Sequence, residues 1–245
     1  LLGVLALPAG TGETRARAGA AAPQAGLIPS LSPKFTKLPP AQRRLWPRLR
    51  PGVALGFVLY GGTAVSLHLG HRRSLDFDFL TDRPLDEAAI RREFDFLRSA
   101  RTLQQAKDTL VVRASGVKLS FFGGMRFGRV GDPLLTRDGV AEVASLEDLM
   151  AHKLKVILQR AEKKDYEDIA AMLRAGVALG RGLAAARLFF GRAFQPAESL
   201  KALTYFKDGD LPRLARADQH TLIAAAAAAD LPTVALRSKT IAITI

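Results

Sequence analysis

Residues 74–80 alternate strictly, with Leu75, Phe77 and Phe79 apolar and Asp76 and Asp78 between them, which is the period of a β-strand. Both carboxylates therefore leave one face, about 6.5–7 Å apart along the strand, while the rings turn into a core. Upstream, residues 57–59 read as the end of a buried strand and Gly61-Gly62 as a tight turn. Thr63 stands where the N-cap of a short helix over residues 64–69 belongs, and Gly70 stops that helix. The helix would return the chain so that the acidic strand pairs beside the first. Downstream, Asp82-Arg83-Pro84 predicts a helix over residues 85–97 with Ile90, Phe94 and Leu97 inward. Thr109–Ala114 and Val117–Phe122 predict a hairpin turning at Ser115-Gly116. Residues 39–49 read as a short amphipathic helix that packs Leu45, Trp46 and Leu49 on the domain.

From Leu146 the period changes to that of helices, broken near residues 176–182. In the first helix Leu146, Leu149, Met150, Leu154, Ile157 and Leu158 form the apolar stripe; Lys153 lies inside it and Arg160 beside it, while Asp148, His152, Lys155 and Gln159 fall on the outer face. An ammonium on a buried face costs several kcal/mol unless it is paired or meets an anion. Lys153 therefore either snorkels to the helix edge or binds phosphate. The next segment repeats the pattern with the opposite sign: Tyr166, Ile169, Met172 and Leu173 are its apolar face, Asp165 falls on it and Asp168 at its edge. These carboxylates fit both a structural ion pair with Lys153 and Arg160 and a catalytic role. The alanine run at residues 224–229 carries no chemistry.

The run from Tyr60 to Phe79 has the layout of a site for a nucleoside triphosphate and a divalent cation. Free N–H groups at a glycine turn and helix start attract phosphate, and two carboxylates on one strand face converge on divalent ions. An acidic solvent-facing strand is the plain alternative for Asp-x-Asp alone; the glycine turn just upstream favours the site.

Net charge +13 suggests a polyanionic partner such as RNA. Residues 1–50 carry eight of the Lys and Arg residues against Glu13 alone, and such a basic stretch binds RNA without specificity or simply keeps the protein soluble. Phe121-Phe122 reads as core, so no aromatic platform for single strands is visible. The chain has no cysteine, which excludes disulfides and thiolate metal sites and is compatible with a reducing cytoplasm. Its four histidines form no zinc pattern, and no stretch approaches the roughly 20 apolar residues of a membrane span. The expected organisation is an Ala/Gly/Pro-rich, poorly ordered extension over residues 1–37, an α+β core of a short mixed sheet with flanking helices over 38–145, and a helical domain over 146–245 that closes over the nucleotide. The basic, glycine-rich residues 123–138, with Arg126, Arg129 and Arg137, are expected to form a loop that meets the acceptor.

The string Tyr60-Gly61-Gly62-Thr63-Ala64, followed by Leu67, Leu69-Gly70-His71-Arg72, Ser74 and Asp76-Phe77-Asp78-Phe79, resembles the AbiEii/AbiGii branch of the polymerase-beta-like nucleotidyltransferase superfamily. Asp148-Leu149, Lys153, Arg160, Lys164-Asp165-Tyr166 and Asp168-Ile169 are similar to that family's later motif. The resemblance runs over about residues 38–173. It implies a polymerase-beta-like core and a metal-dependent nucleotidyltransferase, the toxin of a type IV toxin–antitoxin and phage-defence system with a cognate antitoxin. In some relatives the acceptor is the 3′ end of tRNA. Carried over residue by residue, it assigns Asp76 and Asp78 to magnesium or manganese. Gly61, Gly62, Thr63, Arg72, Ser74, Arg160 and Lys164 go to the nucleotide, and Lys153 and Asp165 join the two metal ligands as catalytic residues, with Asp168 drawn into the site. The superfamily places a third carboxylate on a neighbouring strand, where this chain has Ser120. Three alternatives are open: Asp165 stands in for it, one metal suffices, or the protein binds nucleotide without turning it over. A glycosyltransferase also holds a metal nucleotide on Asp-x-Asp, but has no need of a glycine turn beside it and is usually longer.

Overall fold

The structure, a computed structural model, describes residues 29–243; most of the expected N-terminal extension, residues 1–28, lies outside the described residues. Regular structure starts earlier than the boundary at 38, with β1 (Ser30–Leu31) and a 3-10 turn at Phe35–Lys37. Then come α1 (Pro40–Leu45), α2 (Pro51–Ala54), β2 (Val58–Tyr60), α3 (Gly61–Leu69), β3 (Asp76–Leu80), α4 (Glu87–Glu93), β4 (Arg101–Ala106), β5 (Thr109–Ala114), β6 (Val117–Phe122), β7 (Leu134–Thr136) and β8 (Glu142–Val143). Helices α5 (Leu146–Val156), α6 (Lys163–Arg174), α7 (Leu179–Phe190), α8 (Pro196–Ala202) and α9 (Arg216–Ala227) complete the chain. This is the α+β class that the sequence predicts, a mixed sheet followed by helices.

The eight strands among the described residues form one sheet in the order β1-β7-β8-β2-β3-β6-β5-β4. β2 runs antiparallel to β3, and β3 parallel to β6, so the two central partners of the acidic strand come from opposite sides of the sequence. The inward residues of β3, Phe77 and Phe79, are fully buried. Phe79 stacks on Phe121 of β6 at 5.5 Å, and Phe57 and Phe94 meet Phe121 edge-on or tilted at 5.4 Å. Burying each ring contributes about 1.5–3 kcal/mol, which fixes the register and hence the face on which Asp76 and Asp78 emerge.

Three expectations change. The helix expected over 85–97 is capped later, by Asp86, whose side chain accepts from the Ala89 N–H at 2.9 Å, and gives way to a 3-10 turn at Asp95–Ser99. The region 123–138 contains β7 and packs on the C-terminal segment: the Arg129 guanidinium donates to the carbonyls of Thr240 and Ala242, each at 2.9 Å, so Arg129 is not free for an acceptor. Asp148 and His152 do not lie on an outer face of α5. Asp148 accepts from the Val130 and Gly131 N–H groups at 3.1 Å, and His152 sits among Tyr60, Phe127, Phe189 and Phe190. A helix wheel cannot see a second partner, and here α7 and the 127–131 segment cover the side it assigns to solvent. Among the described residues, most buried apolar side chains form one cluster that includes both strand residues such as Leu59 and helical ones such as Ile169.

Candidate active site

The site begins where β2 passes into α3. Gly61 opens the helix with φ +73°, a conformation that favours glycine, and a Cβ there would run into Asp78 Oδ2. A Cβ on Gly62 would stand 2.6 Å from Arg72 Nη2 and 3.0 Å from Ser74 Oγ. The two glycines thus do more than turn the chain: they make room for three of the side chains that sequence assigns to the site. The N-cap is Tyr60, with no side chain capping the helix, so the first-turn N–H groups are left for other acceptors. Thr63 corrects an expectation. It lies within the helix, is buried, and its hydroxyl donates to the Asp76 carbonyl, bracing the acidic strand instead of capping the helix or reaching a phosphate.

Asp76 and Asp78 project from one face of β3 into a cleft of about 480 Å³. Register places Lys118 opposite Asp76 and Ser120 opposite Asp78. Burial raises the Asp78 carboxyl above its ordinary value, Ser120 lowers it by a hydrogen bond, Asp76 raises it, and Lys118 and Lys153 lower it. The position expected to hold a third acid therefore holds a hydroxyl that supports the second. Among the described residues no third His, Cys, Asp or Glu joins the pair.

The basic wall comes from the α3–β3 connection, β6, α5, the α5–α6 connection and α6: Arg72, Arg73, Lys118, Lys153, Arg160 and Lys164 face the cleft, against the acids Asp76, Asp78 and Glu167. Ser74 also lines it. Two buried carboxylates behind this wall hold three of its cations. Asp168 accepts from Arg72 Nε and Nη2 at 2.7 Å each, from His71 Nε2 at 2.7 Å, and pairs with Lys153 Nζ at 2.6 Å. Asp165 accepts from Lys153 Nζ at 2.7 Å and from Arg160 Nε at 2.8 Å. Burial pushes both carboxyls upward; for Asp168 Lys153, His71 and Arg72 overcome it and hold the group well below the usual range, and for Asp165 Lys153 and Arg160 do the same more weakly.

Of the open alternatives, this geometry favours the ion pair. Asp165 is fully buried, its oxygens are occupied by Lys153 and Arg160, and it does not line the cleft, so it does not replace the missing acid. Lys153, only 6% exposed, neither snorkels nor lacks a partner: it spans Asp165 and Asp168 and still borders the cleft. Lys164 lines the cleft and pairs with Glu162 at 2.6 Å. Sequence reasoning missed His71, Arg73 and Lys118. Lys118 was within reach, since it alternates onto the same strand face as Ser120.

A second recess of about 200 Å³ adjoins the cleft and shares Gly62, Asp78, Lys153 and Arg160 with it. Its other walls are less polar, among them Tyr60, Leu80, Leu149 and His152. Burial pushes the His152 imidazole down to about 4, so the ring is neutral near pH 7, and its Nε2 has no partner among the described residues. Among the described residues no helix is long and apolar enough to cross a membrane.

An uncharacterized protein from Aquifex aeolicus (strain VF5), aq_aa25, is 38% identical over 125 residues that make up 50% of this chain and 60% of that protein. The chain thus matches less than two thirds of that relative's length. A crystal structure of a candidate nucleotidyltransferase from H. pylori is a distant likeness, with a TM-score of 0.45 and 13% identity over 76% of this chain and 92% of that one. Residues 44–235, most of the chain and all of the cleft, match the family described as nucleotidyl transferase AbiEii toxin, Type IV TA system. The chain therefore belongs to the AbiEii nucleotidyltransferase toxin family.

Proposed function

We propose that the protein is a magnesium- or manganese-dependent nucleotidyltransferase that moves a nucleoside monophosphate from an NTP to a hydroxyl of an RNA acceptor, the tRNA 3′ end being one candidate, and that it acts as a toxin held in check by a cognate antitoxin. The observation that carries this reading is the cleft itself: two carboxylates on one strand face, a glycine-opened helix start beside them, and six basic side chains around them. Adjacent carboxylate oxygens open to a cleft fit a hard divalent cation. When bound, such an ion offsets charge on the phosphoryl oxygens and polarises them.

The protein's own groups have separable roles. The first-turn N–H groups of α3 and the Arg72 guanidinium, held flat by Asp168, bind phosphate oxygens. Lys153 and Arg160, fixed from behind by Asp165, face the charge that develops as the bond from the α-phosphorus to the leaving pyrophosphate breaks and the bond to the acceptor oxygen forms. Their preorganisation means little reorientation during reaction. The less polar recess suits the nucleoside part of the substrate.

Ser120 supports a second reading, a member that binds nucleotide without turnover, because the third acid is replaced by a hydroxyl that serves Asp78. Incubating the purified protein with magnesium, total RNA and each of the four α-labelled triphosphates separates the two. Transfer of label that is lost in Asp76→Ala and Asp78→Ala supports catalysis. Nucleotide binding by calorimetry with no label on RNA or on the protein selects the second reading.

A further inference from the structure

A row of cations runs across the sheet from the wall of the nucleotide cleft, where Lys118 stands, to the terminal strand. Arg101 of β4 stands opposite Arg113 of β5, Arg113 opposite Lys118 of β6, and Lys118 opposite Asp76 of β3. In-register neighbours project from the same face one strand spacing apart, about 4.8 Å. The three charges therefore form a line of about 10 Å whose inner end meets a carboxylate of the site. Leu110, Val112 and Ala114 of β5 and Val117, Leu119 and Phe121 of β6 fill the core on the opposite face; on the row's own face Val111 and Ser120 are covered, while Arg101 and Arg113 are exposed and Lys118 is half-buried. Among the described residues none of the three is in an ion pair.

Like charges directly opposite one another across strands are destabilising. Charge on a sheet edge protects against edge-to-edge pairing, and that explains Arg101 on the terminal strand. It does not explain Arg113 or Lys118, which lie on interior strands. What the row matches is a chain of single negative charges repeated at short, regular intervals, running across the strands and ending at Asp76. The positions beside the row on that face, Gln104, Val111 and Ser120, carry no ring, and Phe122 farther along β6 packs against the core, so contact would be through phosphates and indifferent to sequence.

We propose that Arg101, Arg113 and Lys118 form the track for a single-stranded nucleic-acid acceptor, one phosphate to each cation, with the terminal hydroxyl delivered toward Asp76. The orientation rests on the nucleotidyltransferase reading above; the binding does not, and it is measurable without NTP or turnover.

The test is binding of a fluorescent single-stranded RNA of mixed sequence, by anisotropy across a salt series, to the wild-type protein and to Arg101→Glu/Arg113→Glu. A single-stranded phosphate contact contributes about 0.7 to the slope of log K against log salt. The double variant is expected to bind at least about tenfold more weakly at low salt with a slope shallower by about 1.4, while Mg-NTP binding measured by calorimetry is unchanged. Lys207→Glu/Arg213→Glu, which changes net charge equally on exposed helical-region residues, is expected to leave the slope within about half a unit. Arg101→Gln/Arg113→Gln, which adds no negative charge, is expected to give the same direction with a smaller loss. An unchanged slope in both track variants, or an equal loss in the helical-region control, overturns the proposal. So does poly-glutamate that binds as tightly as the RNA and is equally weakened by the track variants, which would make the row a site for an acidic protein.

Discussion

Asp168 is the carboxylate on which the basic wall converges, and replacing it with Asn removes one charge with almost no change of shape. Four polar contacts of 2.6–2.7 Å, from Lys153, His71 and both arms of the Arg72 fork, end on its two oxygens. Taking away one side of a buried charge pair costs about 3–5 kcal/mol, because the other side is left uncompensated. Lys153 retains Asp165 at 2.7 Å, so Arg72 is the cation left without a counter-ion and the lower end, about 3 kcal/mol, is expected. At about 2–4 °C per kcal/mol for a chain of this size, the midpoint of thermal unfolding should fall by about 6–12 °C. Because the ionised form is favoured in the folded protein, the native state binds fewer protons than the unfolded chain once pH drops below about 4. The contribution of Asp168 is thus complete above that pH and disappears with further acid, and Asp168→Asn should flatten the acid limb of a stability–pH profile measured by urea denaturation. NTP affinity should fall about tenfold, 1.4 kcal/mol, as the Arg72 fork loosens. A midpoint shift under about 2 °C together with an unchanged acid limb would refute the clamp.

Three further outcomes follow from the same geometry. Gly62→Ala should lower NTP affinity at least about tenfold and cost about 1–3 kcal/mol by overpacking, since Arg72 cannot swing away from a new Cβ 2.6 Å from its Nη2 without leaving Asp168; calorimetry showing full affinity would reduce Gly62 to a turn residue. In the metal-free protein Ser120→Ala should raise the Asp78 carboxyl further, because it removes a hydrogen bond to the ionised form; a ¹³C titration with no shift, or a downward one, contradicts the role given to Ser120. Burial pushes Asp148 up to about 7, so the native state keeps a proton that the unfolded chain sheds from about pH 4, and stability declines as pH rises through that window. Asp148→Asn keeps an acceptor for the Val130 and Gly131 N–H groups and should remove the decline, which urea midpoints at two pH values on either side would show.

The sequence patterns locate the site better than they explain it. Period-two alternation identifies β3 and the face of its carboxylates because each strand residue must choose one side, and the hairpin of β5 and β6 is legible for the same reason. The inward positions of Lys153 and Asp165 are legible from the helical wheel, and an ion pair between them is one of the readings it allows; the choice between that and a catalytic role is not legible, because a wheel gives a direction and the contact of Lys153 with both Asp165 and Asp168 depends on how α5 and α6 cross. The role of Asp168 depends further on Arg72, which reaches it from a loop 96 residues away. Lys118 shares a face with Ser120 in plain alternation, but no periodicity marks β6 as the neighbour of β3; only the resemblance, which sets Ser120 on a neighbouring strand, brings Lys118 within reach. Strands as short as β7 and β8, three and two residues, carry too little period to be seen at all.

The most direct measurement is NTP binding with and without magnesium, in the wild-type protein and in Asp76→Asn/Asp78→Asn. If the carboxylates hold the ion and the basic wall holds the triphosphate, magnesium should tighten binding to the wild type. The double variant should bind metal-free NTP at least as well, because two negative charges have left a cleft that faces phosphate, and magnesium should no longer tighten it. Magnesium-enhanced binding that survives in the double variant, or a wild-type protein that binds no NTP in either condition, would contradict the site.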